Sequence, residues 1–169
     1  EELRLSEERF SKAFRSSPDA ITIDRLSDGI MIEVNDRFGE VFGLTREETI
    51  GQSDVALGLY ADPEQRTVLA KMLEEHGSFH NLEFQWRRKS GEIFASLSSG
   101  ELSELGGDTC VLSTVQDITE RKRIEKELED HREHLEELVE DRTEALQKSL
   151  SNLEAAQQHL VQSEKMAVL

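Results

Sequence analysis

Few side chains in this sequence are of the kinds that do covalent chemistry. Cys110 is the one cysteine, and the five histidines are His76, His80, His131, His134 and His159. A single thiol excludes an intrachain disulfide framework and an all-cysteine metal site, and it points to a reducing, intracellular setting. There is no glycine-rich phosphate loop, no supported Ser-His-Asp constellation and no cysteine pair. His76 stands just before Gly77 at a predicted helix end, where an imidazolium meets the helix dipole favourably. His131, His134 and His159 fall in one long polar helical stretch and are expected at its surface. Acids are abundant, and most are expected to be solvated. Asp117 is the exception, because it opens Asp117-Ile118-Thr119-Glu120, a capping-box pattern at a sheet-to-helix junction. Besides capping, its carboxylate is placed to form a charge-assisted bond to a nearby basic group and so fix the helix exit.

Composition limits the partners of such a chain. The 169 residues carry 20 Lys and Arg against 36 Asp and Glu, a net charge of −16, which argues against a nucleic-acid partner. Apolar residues make up 36% and charged residues 33%, so part of the chain is expected to lie outside a globular core, as a long solvated helix would. No run approaches the roughly 18 apolar residues of a membrane span, and Glu1-Glu2-Leu3-Arg4 does not open a signal peptide. The expectation is a cytoplasmic segment without membrane contact of its own, cut from a longer parent that is free to be anchored elsewhere.

The elements follow from periodicity. Leu3, Phe10, Ala13 and Phe14 share one helical face before Ser16-Ser17-Pro18 stops the helix, giving an amphipathic lead-in over 1–17. Ala20–Asp24 and Ile30–Val34 read as a hairpin about Ser27-Asp28-Gly29. A short helix through Phe38, Val41 and Phe42 ends at Gly43, and Thr45-Arg46-Glu47-Glu48 starts another with a capping box. Asp62 is the expected N-cap of a longer helix with Pro63 at its first position, an apolar stripe of Val68, Leu69, Met72 and Leu73, and Gly77 at its end. Three strands then follow, Leu82–Trp86, Ile93–Leu97 and Cys110–Val115. Strand, strand, short helices and three strands predict an α+β fold, an antiparallel sheet with its helices on one face.

All ten glycines and both prolines precede residue 108, and after Asp117 no helix breaker remains. From Val139 a seven-residue step reaches Leu146, Leu153, Leu160 and Ala167, with Leu128, Leu135 and Ala156 in the companion row. This is a coiled-coil stripe, interrupted by Arg142, Ser149 and Ser163. Fully helical, the stretch would extend about 75 Å and would need a partner to cover its stripe.

The segments Val34-Asn35-Asp36-Arg37-Phe38, Phe42-Gly43-Leu44, Glu47-Glu48-Thr49-Ile50-Gly51 and Asp117-Ile118-Thr119-Glu120-Arg121-Lys122 resemble, in order and spacing, the PAS sensor domain. The segments 138–146 and Gln162-Ser163-Glu164-Lys165-Met166-Ala167 are similar to the connector of sensor histidine kinases, the latter to the opening of the dimerisation and phosphotransfer helix. The resemblance implies a PAS domain over 18–118, a signalling helix over 119–161 and the start of the phosphotransfer helix over 162–169. It also implies a cavity cupped by a five-stranded sheet. The lining expected from the strands is Ile21, Ile23, Phe84, Trp86 and Leu97, with the last strand left open between Leu112 and Ser113; the helices should add Phe38, Phe42, Leu69 and Leu73. A register slip of one residue would invert the strand part of that set.

For cofactors, the resemblance leaves haem open through His76 or His80 alone. Cysteine-based flavin photochemistry lacks its cysteine in Gly51-Gln52-Ser53-Asp54-Val55. Noncovalent flavin would use Trp86, although a lone Trp on an alternating strand reads first as core. An empty, well-packed core is the leading expectation. The function implied is the sensory module of a two-component sensor histidine kinase, itself without catalysis. It would relay a stimulus through a parallel homodimer seamed by Leu135, Val139, Arg142, Leu146, Leu153 and Leu160 to a kinase acting on a response regulator. The junction Asp117, Ile118 and Thr119 would couple sheet to helix. The alternatives are a ligand-free dimerisation scaffold, or an input module for another output such as a nucleotide cyclase.

Overall fold

The computed structural model describes residues 1–168; Leu169 and the side chains of Glu2 and Leu3 lie outside the described residues, and with them the place of Leu3 in the first apolar face. Helix α1 (Glu2–Arg15) stops where the Ser16 amide and hydroxyl both donate to the Lys12 carbonyl, at 3.0 and 2.7 Å. Strands β1 (Ala20–Arg25) and β2 (Met31–Val34) pair antiparallel. Asn35 caps α2 (Asp36–Phe42), and a complete capping box between Thr45 and Glu48 starts α3 (Arg46–Thr49). Helix α4 (Glu64–His76) begins one residue later than its sequence suggests, yet Asp62 Oδ1 still accepts from the Glu64 amide at 2.9 Å. Of its expected stripe, Leu69 and Leu73 are buried, whereas Val68 is exposed.

Strands β3 (Ser78–Arg87), β4 (Ile93–Leu105) and β5 (Asp108–Asp117) complete a five-stranded sheet of order β2-β1-β5-β4-β3 in which every neighbouring pair is antiparallel. The strands are longer than the alternation of apolar residues suggests, since Ser98, Ser99, Glu101, Ser103 and Glu104 conceal the pleat of β4 while its ladder to β5 continues to Leu105 and Asp108. Gly100 permits close packing there, because a Cβ would stand 2.5 Å from Phe79 Cε1. The core joins the sheet to α2 through aromatic contacts, since Phe42 stacks on Phe38 at 4.6 Å and meets Phe94 and Trp86 edge-on at 5.4 and 6.1 Å, and to α4 through buried Leu69 and Leu73.

These elements occupy one of two compact units, Glu1–Glu120; the other is Arg121–Leu169. Helix α5 (Thr119–Ala167) runs 49 residues without interruption, and none of them is buried. Leu135, Val139, Leu146, Leu153 and Leu160 are between 59% and 68% exposed, so the stripe stands uncovered along the helix. Pairs such as Arg121–Glu125 and Arg123–Glu127 support the helix at i,i+4 spacing, each by only about 0.2–0.5 kcal/mol. Among the described residues no helix is long and apolar enough to cross a membrane.

Asn35 ties the first unit together at a single side chain. Its Oδ1 accepts from the amides of Ile21 (2.9 Å) and Phe38 (3.0 Å), and its Nδ2 donates to the carbonyls of Phe14 and Asp19 (3.0 Å each). The full capacity of the amide is used at a site only 3% exposed. Asn35→Ala should therefore cost about 2–4 kcal/mol, one lost cap plus stranded buried groups. Urea unfolding followed by Trp86 fluorescence should give a lower midpoint for Asn35→Ala, and Asn35→Asp should also unfold earlier because a carboxylate cannot donate to the two carbonyls.

Candidate functional site

A cavity of about 60 Å³ lies within the Glu1–Glu120 unit, walled by residues of all five strands and by α2, α4 and the segment before α4. Of the expected lining, Phe42, Leu69, Leu73 and Trp86 reach it. Phe38 is fully buried in the core behind Phe42, and Phe84 packs edge-on between Phe79 and Trp86 without reaching the cavity.

Ile21, Ile23 and Leu97 do not line it. Alternation places Thr22 and Asp24 of β1 and Ser98 of β4 on the cavity side, so these three apolar residues take the opposite face of the sheet. In β5, the position left open resolves to Val111, Ser113 and Val115 inward, with Leu112 exposed. The inner face is polar, and its groups can be buried because they bond one another. Trp86 Nε1 donates to Ser98 Oγ at 3.1 Å, Ser98 and Ser96 hydroxyls share a bond of 2.9 Å, and Ser96 donates to the Phe84 carbonyl at 3.3 Å.

Four residues that sequence reasoning missed, Asp24, Asp54, Tyr60 and Arg66, form the charged end of the cavity. Asp54, 5% exposed, accepts from the Tyr60 hydroxyl at 2.9 Å, from Arg66 Nε at 3.2 Å and from the Val55 amide at 2.7 Å. Gly29 makes room for it: the residue has φ +70°, and any Cβ there would fall 2.2 Å from Asp54 Oδ1. Burial and the adjoining Asp54 carboxylate raise the Tyr60 hydroxyl well above its ordinary range, so it remains a neutral donor. Asp24, on β1, receives only a 3.5 Å contact from the Thr22 hydroxyl. Burial first, then the charge of Asp54, push its carboxyl up to about 7 against the opposing pull of Thr22 and Arg66. Only the abundance of acids hinted at this group, because its members are dispersed along the chain.

The junction is built on Arg88. Its guanidinium donates to Asp117 Oδ2 at 2.5 Å and to the Val41 carbonyl, pairs with Glu92 at 3.2 Å, and lies 4.2 Å above the Phe94 ring. Asp117 Oδ1 accepts from the Thr119 amide at 2.9 Å, and buried Ile118 donates its amide to Ala95 at 3.0 Å. Burial would raise the Asp117 carboxyl, but the hydrogen bonds from Thr119 and Arg88 outweigh it and hold the group below its ordinary value.

His76 and His80 are exposed and stand outside the cavity lining. Among the described residues no cluster of three His, Cys, Asp or Glu is arranged to hold a metal.

A five-stranded antiparallel sheet closed over a small cavity by short helices, with a helix leaving its last strand, defines a sensor-type α+β domain. Residues 18–120 match the family described as PAS domain, and the chain belongs to that family. It is 34% identical over 142 residues to the sensor protein TdiS of Thauera aromatica, covering 82% of this chain and 25% of that protein. The chain thus spans about a quarter of the length of the curated relative it matches. The PAS domain of an HTR-like protein from Haloarcula marismortui superimposes with a TM-score of 0.56 at 26% identity, covering 69% of this chain and 95% of that one. A PAS domain from a two-component sensor histidine kinase gives 0.58 at 14% identity, covering 68% and 98%, a likeness of fold. The chain is a PAS sensory domain, and the PAS fold itself is non-catalytic.

Two measurements check the electrostatics. Asp24 has a raised folded pKa, so its ionisation opposes folding progressively from about pH 4 to pH 7. Asp24→Asn should match the wild type below pH 4 and exceed it by on the order of 4 kcal/mol above pH 7, in chemical unfolding across pH. Asp117 has the opposite sign: Asp117→Asn should be less stable by about 1–3 kcal/mol at pH 6, and the difference should shrink as acid protonates the wild-type carboxyl below its ordinary range.

Proposed function

We propose that this chain is the sensory module of a two-component sensor histidine kinase, relaying a stimulus felt by the PAS unit through a parallel dimeric coiled coil to a kinase that acts on a response regulator. The observation that carries this reading is the uncovered heptad stripe of α5, a helix that begins two residues after the Asp117 cap, with the stripe repeating from Leu128 through Leu160. A single helix has nowhere to bury such a stripe, and a second copy supplies an identical one in register. The resemblance of Gln162–Ala167 to the opening of a phosphotransfer helix and the likeness to a sensor protein support a kinase as the recipient. The stimulus acts by binding one of two arrangements of the dimer more tightly than the other. Asp117, Ile118 and Thr119 pass the difference on, because the Arg88 bond fixes where the helix starts. Polar Arg142, Ser149 and Ser163 keep the two arrangements close in energy.

Light scattering should give a mass twice the 19.2 kDa of one chain. Arg142→Leu should raise the melting temperature of the coil, and in the full-length kinase it should make autophosphorylation insensitive to stimulus. A monomeric chain, or unchanged signalling with a stabilised coil, would instead favour a scaffold that uses the PAS unit for assembly alone.

A further inference from the structure

Several polar groups of the cavity lack a full set of partners. Arg66 engages Asp54 through Nε alone, so its terminal nitrogens make no hydrogen bond among the described residues, and neither does the Ser113 hydroxyl. Asp24 has only its long contact with Thr22. Charge then separates the ligand classes. Arg66 and Asp54 sum to zero as a pair, which leaves Asp24 as the uncompensated charge of the cavity. The groups within electrostatic reach of Asp24 are Asp54 and Tyr60 from the segment before α4, Arg66 from α4 and Cys110 from β5, and only Arg66 is cationic.

The lining is also aromatic, with the Tyr60 and Trp86 rings 4.9 Å apart and Phe42 edge-on to Trp86. A carboxylate and aromatic rings lining one cavity suit an organic cation. An anion would meet two carboxylates there, and an apolar molecule would strand Asp24 and Ser113. A volume of about 60 Å³ has room for several waters, at roughly 10–15 Å³ each, and so for a small organic ligand.

We propose that this cavity is a binding site for a small primary ammonium ion of the size of methylammonium or ethylammonium, its charge met by Asp24 and its alkyl group seated against Trp86 and Phe42. Binding requires the ionised carboxylate, so the ammonium ion displaces a proton from Asp24, which titrates near neutrality when the cavity is empty. The site stands on the cavity alone; that its occupancy is the stimulus rests on the relay proposed above.

Trp86 is the one tryptophan of the chain, and its indole N–H therefore gives a single resonance at the cavity wall. The test is a titration of the full 169-residue chain, followed by that resonance, with ethylammonium chloride, sodium acetate and ethanol at pH 6, 7 and 8 and constant ionic strength. Ethylammonium should shift the resonance saturably, about tenfold more tightly at pH 8 than at pH 6. Acetate and ethanol should leave it in place. Asp24→Asn, which is expected to fold at least as well as the wild type, should abolish binding, and Ser113→Ala should weaken it several-fold. Saturation by acetate or ethanol in preference to ethylammonium, an affinity independent of pH, equal binding by Asp24→Asn, or no shift with any of the three would each overturn the assignment. The dimer mass and the Arg142→Leu phenotype are read without ligand, so a failed titration leaves the relay standing, and a monomeric chain that still binds ethylammonium rejects the relay alone.

Discussion

The fold depends on the pairing of buried polar groups by three side chains. Asn35 closes the bonding needs of α1, β1 and α2 at once, Asp54 gathers Tyr60, Arg66 and the Val55 amide, and Arg88 joins the end of α2 to the end of β5. A stranded buried amide or carbonyl costs about 1–3 kcal/mol, a large fraction of the stability of an ordinary domain. Asn35 and Arg88 also join elements far apart in sequence, so a loss at either is felt as loosened packing among several. Short helices of four and seven residues, too brief to be stable alone, are held in place by such bonds.

Much of this architecture was legible because its signals are local. The Asn35 and Thr45 caps, the Gly43 and Gly77 stops, the order of strands and the unbroken α5 follow from residues within a few positions of one another. The cavity face was not legible in the same way. Alternation assigns the more apolar face inward, and in β1 that rule selects Ile21 and Ile23 over Thr22 and Asp24; in β4 it selects Leu97 over Ser96 and Ser98. The rule fails here because an inner face can be polar when its groups bond across strands, as Trp86, Ser98 and Ser96 do. The partners lie 12 residues apart in one case and on adjacent strands, which periodicity within one segment does not register. Asp54, Tyr60 and Arg66 were missed for the same reason, since only the folded loop before α4 brings them to Asp24.

A polar lining is a costly way to build a core. Valine at Thr22 or leucine at Ser98 would add buried apolar area worth about 25 cal/mol per Å², and neither would need a partner. Asp24 goes further, because its charged form opposes folding at neutral pH. Residues that lower stability without improving packing are expected where a fold keeps a site, and the dispersed cluster about Asp24 fits that description better than the well-satisfied Asn35. The two kinds of buried polar group are therefore distinguishable by their bonding: Asn35 has no capacity left, whereas Arg66, Ser113 and Asp24 retain theirs on the cavity side.

Charge along α5 divides the proposed coil in a way that the heptads alone do not. From Glu120 to Glu144 there are 6 basic and 11 acidic residues (6 − 11 = −5), whereas from Ala145 onward there are 2 of each (2 − 2 = 0). In a parallel pair the first half would bring like charge together, and the second, carrying Leu146, Leu150, Leu153 and Leu160, would not. Repulsion between exposed charges is screened over about 10 Å at 0.1 M salt, so it acts within each half and not along the whole helix. Arg142 stands at the boundary, a cation in the seam beside the acidic half. Such a coil, if formed as proposed, would hold firmly at its distal end and yield at the end next to Asp117. A stimulus there would need to overcome only the weakly zipped turns, which brings the energy of switching within reach of a small ligand.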